Sequence, residues 1–74
     1  MEHFNDIYYV QMEGVYYHGI YWIGSTEEEG KLQADRLASE DSDSYHKWVL
    51  YLYKFDDQCS IRYRTWKGRE GVEV

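Results

Sequence analysis

The chain has no proline, a single cysteine and no apolar run approaching the ~20 residues that a membrane-crossing helix needs. The missing proline leaves every backbone N–H available for a strand ladder, which suits a sheet-rich fold. With Cys59 alone, no intramolecular disulfide can form, and a reducing compartment is the natural setting. The opening residues Met1-Glu2-His3-Phe4-Asn5-Asp6 show neither a basic start nor an apolar stretch. They predict that no secretory signal is present and that the protein is soluble and cytoplasmic. Basic residues are scarce in the first part of the chain. Residues 1–46 hold ten acids against two bases, a balance of −8, whereas residues 47–74 hold four acids against six bases, a balance of +2.

What the chain does have is aromatic side chains, 14 in 74 residues, mostly in runs that alternate as strands do. A chain of this size forms one domain, 1–74, and a domain this small buries only about 60% of its unfolded surface. Aromatic residues ease that limit, because each can bury roughly 150–250 Å².

Ile7–Met12 reads as a strand by its β-branched and aromatic content, and Glu13-Gly14 as a two-residue turn. Val15–Ile23 is the returning strand. That turn pairs Met12 with Val15, Val10 with Tyr17 and Tyr8 with Gly19. One face then carries Tyr8, Val10, Met12, Val15, Tyr17, Tyr21 and Ile23, and the other Ile7, Tyr9, Gln11, Tyr16, His18, Ile20 and Trp22. Neither face is polar. Ser25-Thr26-Glu27-Glu28-Glu29 opens a helix, since Ser25 or Thr26 with a glutamate three residues on makes a capping box and the acids oppose the helix dipole. The helix is expected from about Glu27 to Ala38 or Ser39, with Gly30, Ala34, Leu37 and Ala38 on one small-residue stripe and Leu32 on the far side. After a polar loop, Glu40–Ser44, come strands Tyr45–Phe55 and Cys59–Trp66. A three-residue loop, Asp56–Gln58, sets Phe55 opposite Cys59, Tyr53 opposite Ile61 and Tyr51 opposite Tyr63. Val72-Glu73-Val74 is either a short edge strand or a frayed end. The predicted architecture is α+β, a four-stranded antiparallel sheet with one helix in the order β-β-α-β-β.

Catalytic chemistry has little footing here. Cys59 has no adjacent base, and His3, His18, His46 and Cys59 match no zinc spacing. The carboxylate pairs Asp56-Asp57 and Glu40-Asp41 and the run Glu27–Glu29 are explained by turns and capping, and Gly68-Arg69-Glu70-Gly71 is no phosphate loop. No enzyme, metal or cofactor is expected.

Binding is the better-supported class. Glu27, Glu28, Glu29, Asp35, Glu40, Asp41 and Asp43 form an acidic helix and loop, interrupted by Lys31 and Arg36, that suits a cationic partner. Tyr9, Tyr16, Trp22 and Trp66 are aromatic candidates for a second contact surface, since Tyr and Trp dominate interface hot spots. Lys54, Arg62, Arg64 and Lys67, interleaved with Trp48 and Trp66, are a pattern that single-strand nucleic-acid binders use. Packing of Arg stems on Trp rings explains that pattern more simply, so direct nucleic-acid binding is the alternative and not the lead. A homodimer through the aromatic face is a further expectation to test.

The layout of a Tyr-rich hairpin, then Ser25-Thr26-Glu27-Glu28-Glu29 opening an Ala/Leu helix, then a strand pair from Trp48 to Trp66, resembles small phage-encoded inhibitors. Anti-CRISPR proteins and the phage inhibitor of bacterial RNA polymerase are similar in size and plan. The resemblance covers most of the chain as architecture and transfers no residue by position. It implies a protein that occupies a surface of a bacterial protein or ribonucleoprotein complex in the host cytoplasm, with the stretch Glu27–Asp43 acting as a nucleic-acid mimic.

Overall fold

The computed structural model describes residues 6–16, 18–43, 45–67 and 72–73. In chain order the elements are β1 (Ile7–Glu13), β2 (His18–Gly24), α1 (Glu27–Glu40), β3 (Lys47–Lys54), β4 (Cys59–Lys67) and β5 (Val72–Glu73). The class is α+β. All strand pairs are antiparallel, in the order β2-β1-β3-β4-β5. The expected β-β-α-β-β order is therefore extended by a two-residue strand that pairs with the end of β4. The expectations placed on His3, Tyr17, Gly68, Gly71 and Val74 lie outside the described residues.

The helix begins where its signals put it. Thr26 is the N-cap, its Oγ1 accepts from the Glu29 backbone N–H at 3.4 Å, and it donates to Glu29 Oε1 at 3.0 Å. Three glutamates follow in the first turn, where they favour the dipole. The helix runs to Glu40, a little past the expected end, and Asp41 closes it with its N–H on the Ala38 carbonyl. Gly30, Ala34 and Ala38 are buried and Leu37 is half-buried against the core, while Leu32 points away.

That stripe covers one face of the sheet. Val10 and Met12 of β1, Trp48 and Leu50 of β3 and Trp66 of β4 form the core with Ala34 and Ala38, and Tyr8, Trp22 and Leu37 pack around it. The division of volume is lopsided: the sheet supplies indole rings and the helix supplies almost no side chain. At Gly30 a Cβ would meet Leu50 Cδ1 at 2.6 Å and the Trp22 ring at 3.3 Å, so the helix backbone rests directly on the sheet's side chains.

Both hairpin registers depart from expectation, each through a longer turn and a bulge. The first hairpin pairs Glu13 with His18 and Met12 with Gly19, so the connection between them is longer than a two-residue turn. Glu13 stays in the strand, where Tyr51 and Arg62 bond it. The register then shifts between Val10 and Gln11, leaving Tyr21 as the extra residue. A bulge moves everything beyond it to the opposite face. Trp22, expected beside Tyr9, therefore joins Val10 under the helix, and Ile23 moves across to pair with Tyr9. Tyr21 remains on the helix side, edge-on to Trp48 at 5.0 Å. In the second hairpin, Trp48 opposite Trp66 keeps the expected register. Nearer the turn the pairing slips by one, to Tyr53 with Ser60 and Lys54 with Cys59, because the turn takes residues 55–58 and Gln58 adopts a φ of 51°. The slip is absorbed at Tyr63, whose extra position lets its ring meet Tyr8 at 6.0 Å and its hydroxyl reach Glu27 at 2.9 Å.

The close approach at Gly30 makes a clear expectation. In a free helix, Gly→Ala stabilises by about 1 kcal/mol. Here Gly30→Ala should gain little or nothing, and Gly30→Val should cost about 2 kcal/mol, or ~10 °C in the thermal midpoint followed by circular dichroism. A Gly30→Val midpoint equal to the parent's would show that the helix does not lie this close.

Candidate protein-binding surfaces

The acidic residues named from the sequence divide into three groups. Glu28, Glu29, Asp35 and Glu40 are exposed on α1. Within the helix, Lys31 pairs with Glu27 at 2.9 Å and Arg36 with Glu40 at 3.1 Å, each one turn apart. Glu27 also accepts from Tyr63; the bonds from Lys31 and Tyr63 hold its carboxyl below the ordinary range. Asp41 and Asp43 lie in the connection to β3; Asp41 is spent largely on the fold itself, whereas the Asp43 side chain is 45% exposed.

Asp41 is the organising group of that connection. Its Oδ2 accepts from the Trp48 indole N–H at 2.8 Å and lies 2.8 Å from His46 Nδ1, and its Oδ1 accepts from the Asp43 N–H at 3.0 Å. Its side chain is only 10% exposed. Burial pushes its pKa up, yet the Asp43 amide, His46 and Trp48 bonds together outweigh burial and the net shift is downward. Asp43 accepts from the Tyr45 N–H at 2.8 Å and lies 3.3 Å from His46 Nε2. The imidazole is thus held between two carboxylates.

The sheet face away from the helix has no covering layer among the described elements. It presents Ile20 and Ile23 of β2, Ile7, Tyr9, Gln11 and Glu13 of β1, Tyr51 and Tyr53 of β3, and Ser60 and Arg62 of β4, while Val49, on the same face by register, is fully buried. A second carboxylate hub organises it. Glu13 accepts from the Tyr51 hydroxyl, from Arg62 Nη2 at 3.1 Å and from Gln11 Nε2 at 3.2 Å. Tyr9 stacks on Tyr51 at 5.1 Å and donates to Ser60, and the Arg62 guanidinium lies 5.5 Å above the Tyr51 ring. Burial tends to raise the Glu13 pKa, but the bonds from Tyr51, Arg62 and Gln11 leave it lowered. Burial and the Glu13 bond push the Tyr51 phenol up to about 12.

Three sequence-based expectations change with these positions. Trp66, 5% exposed, is a core residue, and Trp22 is partly buried against the same core, so both serve packing on the helix side. Tyr9 is half-buried in the open face, whereas Tyr16 stands 96% exposed at the tip of the first hairpin. The basic and aromatic group does not assemble: Arg64 pairs with Leu50 and Trp66 with Trp48 on the helix side, while Arg62 lies on the other face against Glu13. Glu13, Tyr51 and Tyr45 are contributors that the sequence does not single out. Glu13 looked like a turn residue, and only the longer loop keeps it in the strand.

Among the described residues no group of three or more His, Cys, Asp or Glu side chains converges as a metal site, and Cys59 is exposed at the start of β4. No helix among them is long and apolar enough to cross a membrane. No protein-family model, curated protein or solved structure matches the chain.

The two hub carboxylates and the Tyr51 phenol respond oppositely to pH. Asp41 and Glu13 have lowered folded pKa values, so their contributions are present above the unfolded values of about 4 and are lost as pH falls through the folded ones. Tyr51 has a raised folded pKa, so its contribution is complete below about pH 10 and is lost as pH rises through 12. Asp41→Ala should cost about 2 kcal/mol by orphaning Trp48 and His46, and should flatten the loss of thermal stability below about pH 4. An acid limb as steep as the parent's would remove Asp41 as its cause. In alkaline titration followed by phenolate absorbance, Tyr51→Phe should abolish the tyrosine that ionises near pH 12.

Proposed function

We propose that this protein is a small, non-enzymatic inhibitor of the phage-encoded anti-CRISPR type. It binds a bacterial nucleic-acid machine and occupies a surface that nucleic acid would otherwise fill. The supporting observation is the outward side of α1, where Glu28, Glu29, Asp35 and Glu40 stand exposed. At 1.5 Å rise per residue they extend over ~18 Å, the length of about five phosphates along one strand of a duplex. The pairs Glu27–Lys31 and Glu40–Arg36 do not remove the carboxylates from use. Exposed pairs of this kind contribute little to stability, so a groove rich in Lys and Arg can take them over readily. The net charge of −6 would speed that encounter at low salt.

A second reading has its own observation. The open sheet face leaves Ile20 and Ile23 more than half exposed beside the Tyr9–Tyr51 stack, which suits an apolar contact to a host enzyme such as RNA polymerase.

Affinity capture from a bacterial lysate with mass-spectrometric identification tests the proposal. A nucleic-acid machine should be recovered in stoichiometric amount, with recovery falling as salt rises. The double reversal Glu28→Lys/Asp35→Lys should weaken capture by at least about tenfold, as loss of two interface charges implies. Capture that survives the reversal but fails in Ile20→Asp/Ile23→Asp would reject the helix and move the contact to the sheet face.

A further inference from the structure

Among the described residues, the three most exposed large apolar side chains all line one cleft: Tyr16 at 96%, Tyr45 at 81% and Val15 at 74%. They come from two connections, the one between β1 and β2 and the one between α1 and β3. Together with Gly14, Asp43 and His46 they bound a space of about 190 Å³. That is below the ~300 Å³ at which pockets begin to hold whole small molecules, and it suits a single side chain. Among the described residues no lysine or arginine lines it. Asp43, its side chain 45% exposed, gives one oxygen to the Tyr45 N–H and lies with the other near His46, yet a carboxylate has about four acceptor positions and keeps some free. The Asp41 carboxylate on the far side of His46 adds to the negative field.

We infer that this cleft is a socket for an arginine side chain of the partner. The inference rests on the proposed function, because the surface being occupied there is a nucleic-acid groove rich in such residues. Two tyrosine rings offer faces on which a planar guanidinium stacks, and Asp43 offers a carboxylate that its N–H fork can grip. An ammonium group meets only the second requirement well. The rest of the hub already fixes the site: Asp41 ties His46 and Trp48 to the helix end and bonds the Asp43 N–H, so Asp43 is held in place before any partner arrives.

The experiment is an NMR titration of the isotope-labelled full chain with an acetylated, amidated tetra-arginine peptide, and in parallel with its tetra-lysine counterpart. Saturable shifts are expected at Val15, Tyr16, Asp43 and Tyr45, with the lysine peptide about fivefold weaker, as loss of a ring-stacked guanidinium implies. Tyr16→Ala/Tyr45→Ala alters only exposed side chains and should weaken arginine binding by ~5- to 20-fold. Glu28→Lys/Asp35→Lys should leave the cleft shifts in place. Shifts centred on α1, equal binding of the two peptides, or unchanged binding by the double tyrosine variant would each overturn the socket. None of those outcomes bears on whether a nucleic-acid machine is captured, so the two proposals fail separately.

Discussion

Everything in this fold depends on how closely a nearly bare helix surface can approach three indole rings. Gly30, Ala34 and Ala38 bring the α1 backbone down onto the sheet, and Trp22, Trp48 and Trp66 fill the space from the other side. The arrangement lets a small chain build a dense core from few residues, because each ring buries far more area than an aliphatic side chain. It also fixes which sheet face is covered. A helix with leucines on that stripe would stand further off, and the rings would lose their packing partners.

The remaining order comes from two carboxylates that sit where the layers cannot reach. Glu13 gathers Gln11, Tyr51 and Arg62 on the open face, and Asp41 gathers Trp48, His46 and Asp43 at the helix exit. Glu13 joins strands distant in sequence, which a small hydrophobic core does poorly alone, while Asp41 fastens the local connection between the helix and β3. Trp48 links the two systems, since its ring belongs to the core while its N–H donates to Asp41.

Much of this was legible in the chain. The helix start, its small-residue stripe, the outward Leu32 and the Trp48–Trp66 pairing follow from capping chemistry, periodicity and alternation. The registers near the turns did not, and the reason is physical. With apolar residues on both faces, Tyr8 to Ile23 offers no polar alternation to pin which residue opposes which. A bulge such as the one at Tyr21 then costs little, and it decides that Trp22 packs inside while Ile23 faces out. The same ambiguity hid Glu13, placed in a turn by its neighbour Gly14, and placed Trp66 on a surface when its ring lies in the core. Acid-rich sequence likewise could not show that Asp41 serves the fold while Glu28 and Asp35 face outward.

The strand directions also separate the molecule's two ends. The first hairpin tip and the helix exit share one end, because Glu13 pairs with Lys47, while the turn at 55–58 lies at the other, about 27 Å away along the eight residues of β3. The chain's single thiol, Cys59, is exposed at that far end. A maleimide dye, a biotin or a surface tether attached there would hold the protein by its tail, with the tip, the helix ridge and most of the open sheet face still free to meet a partner.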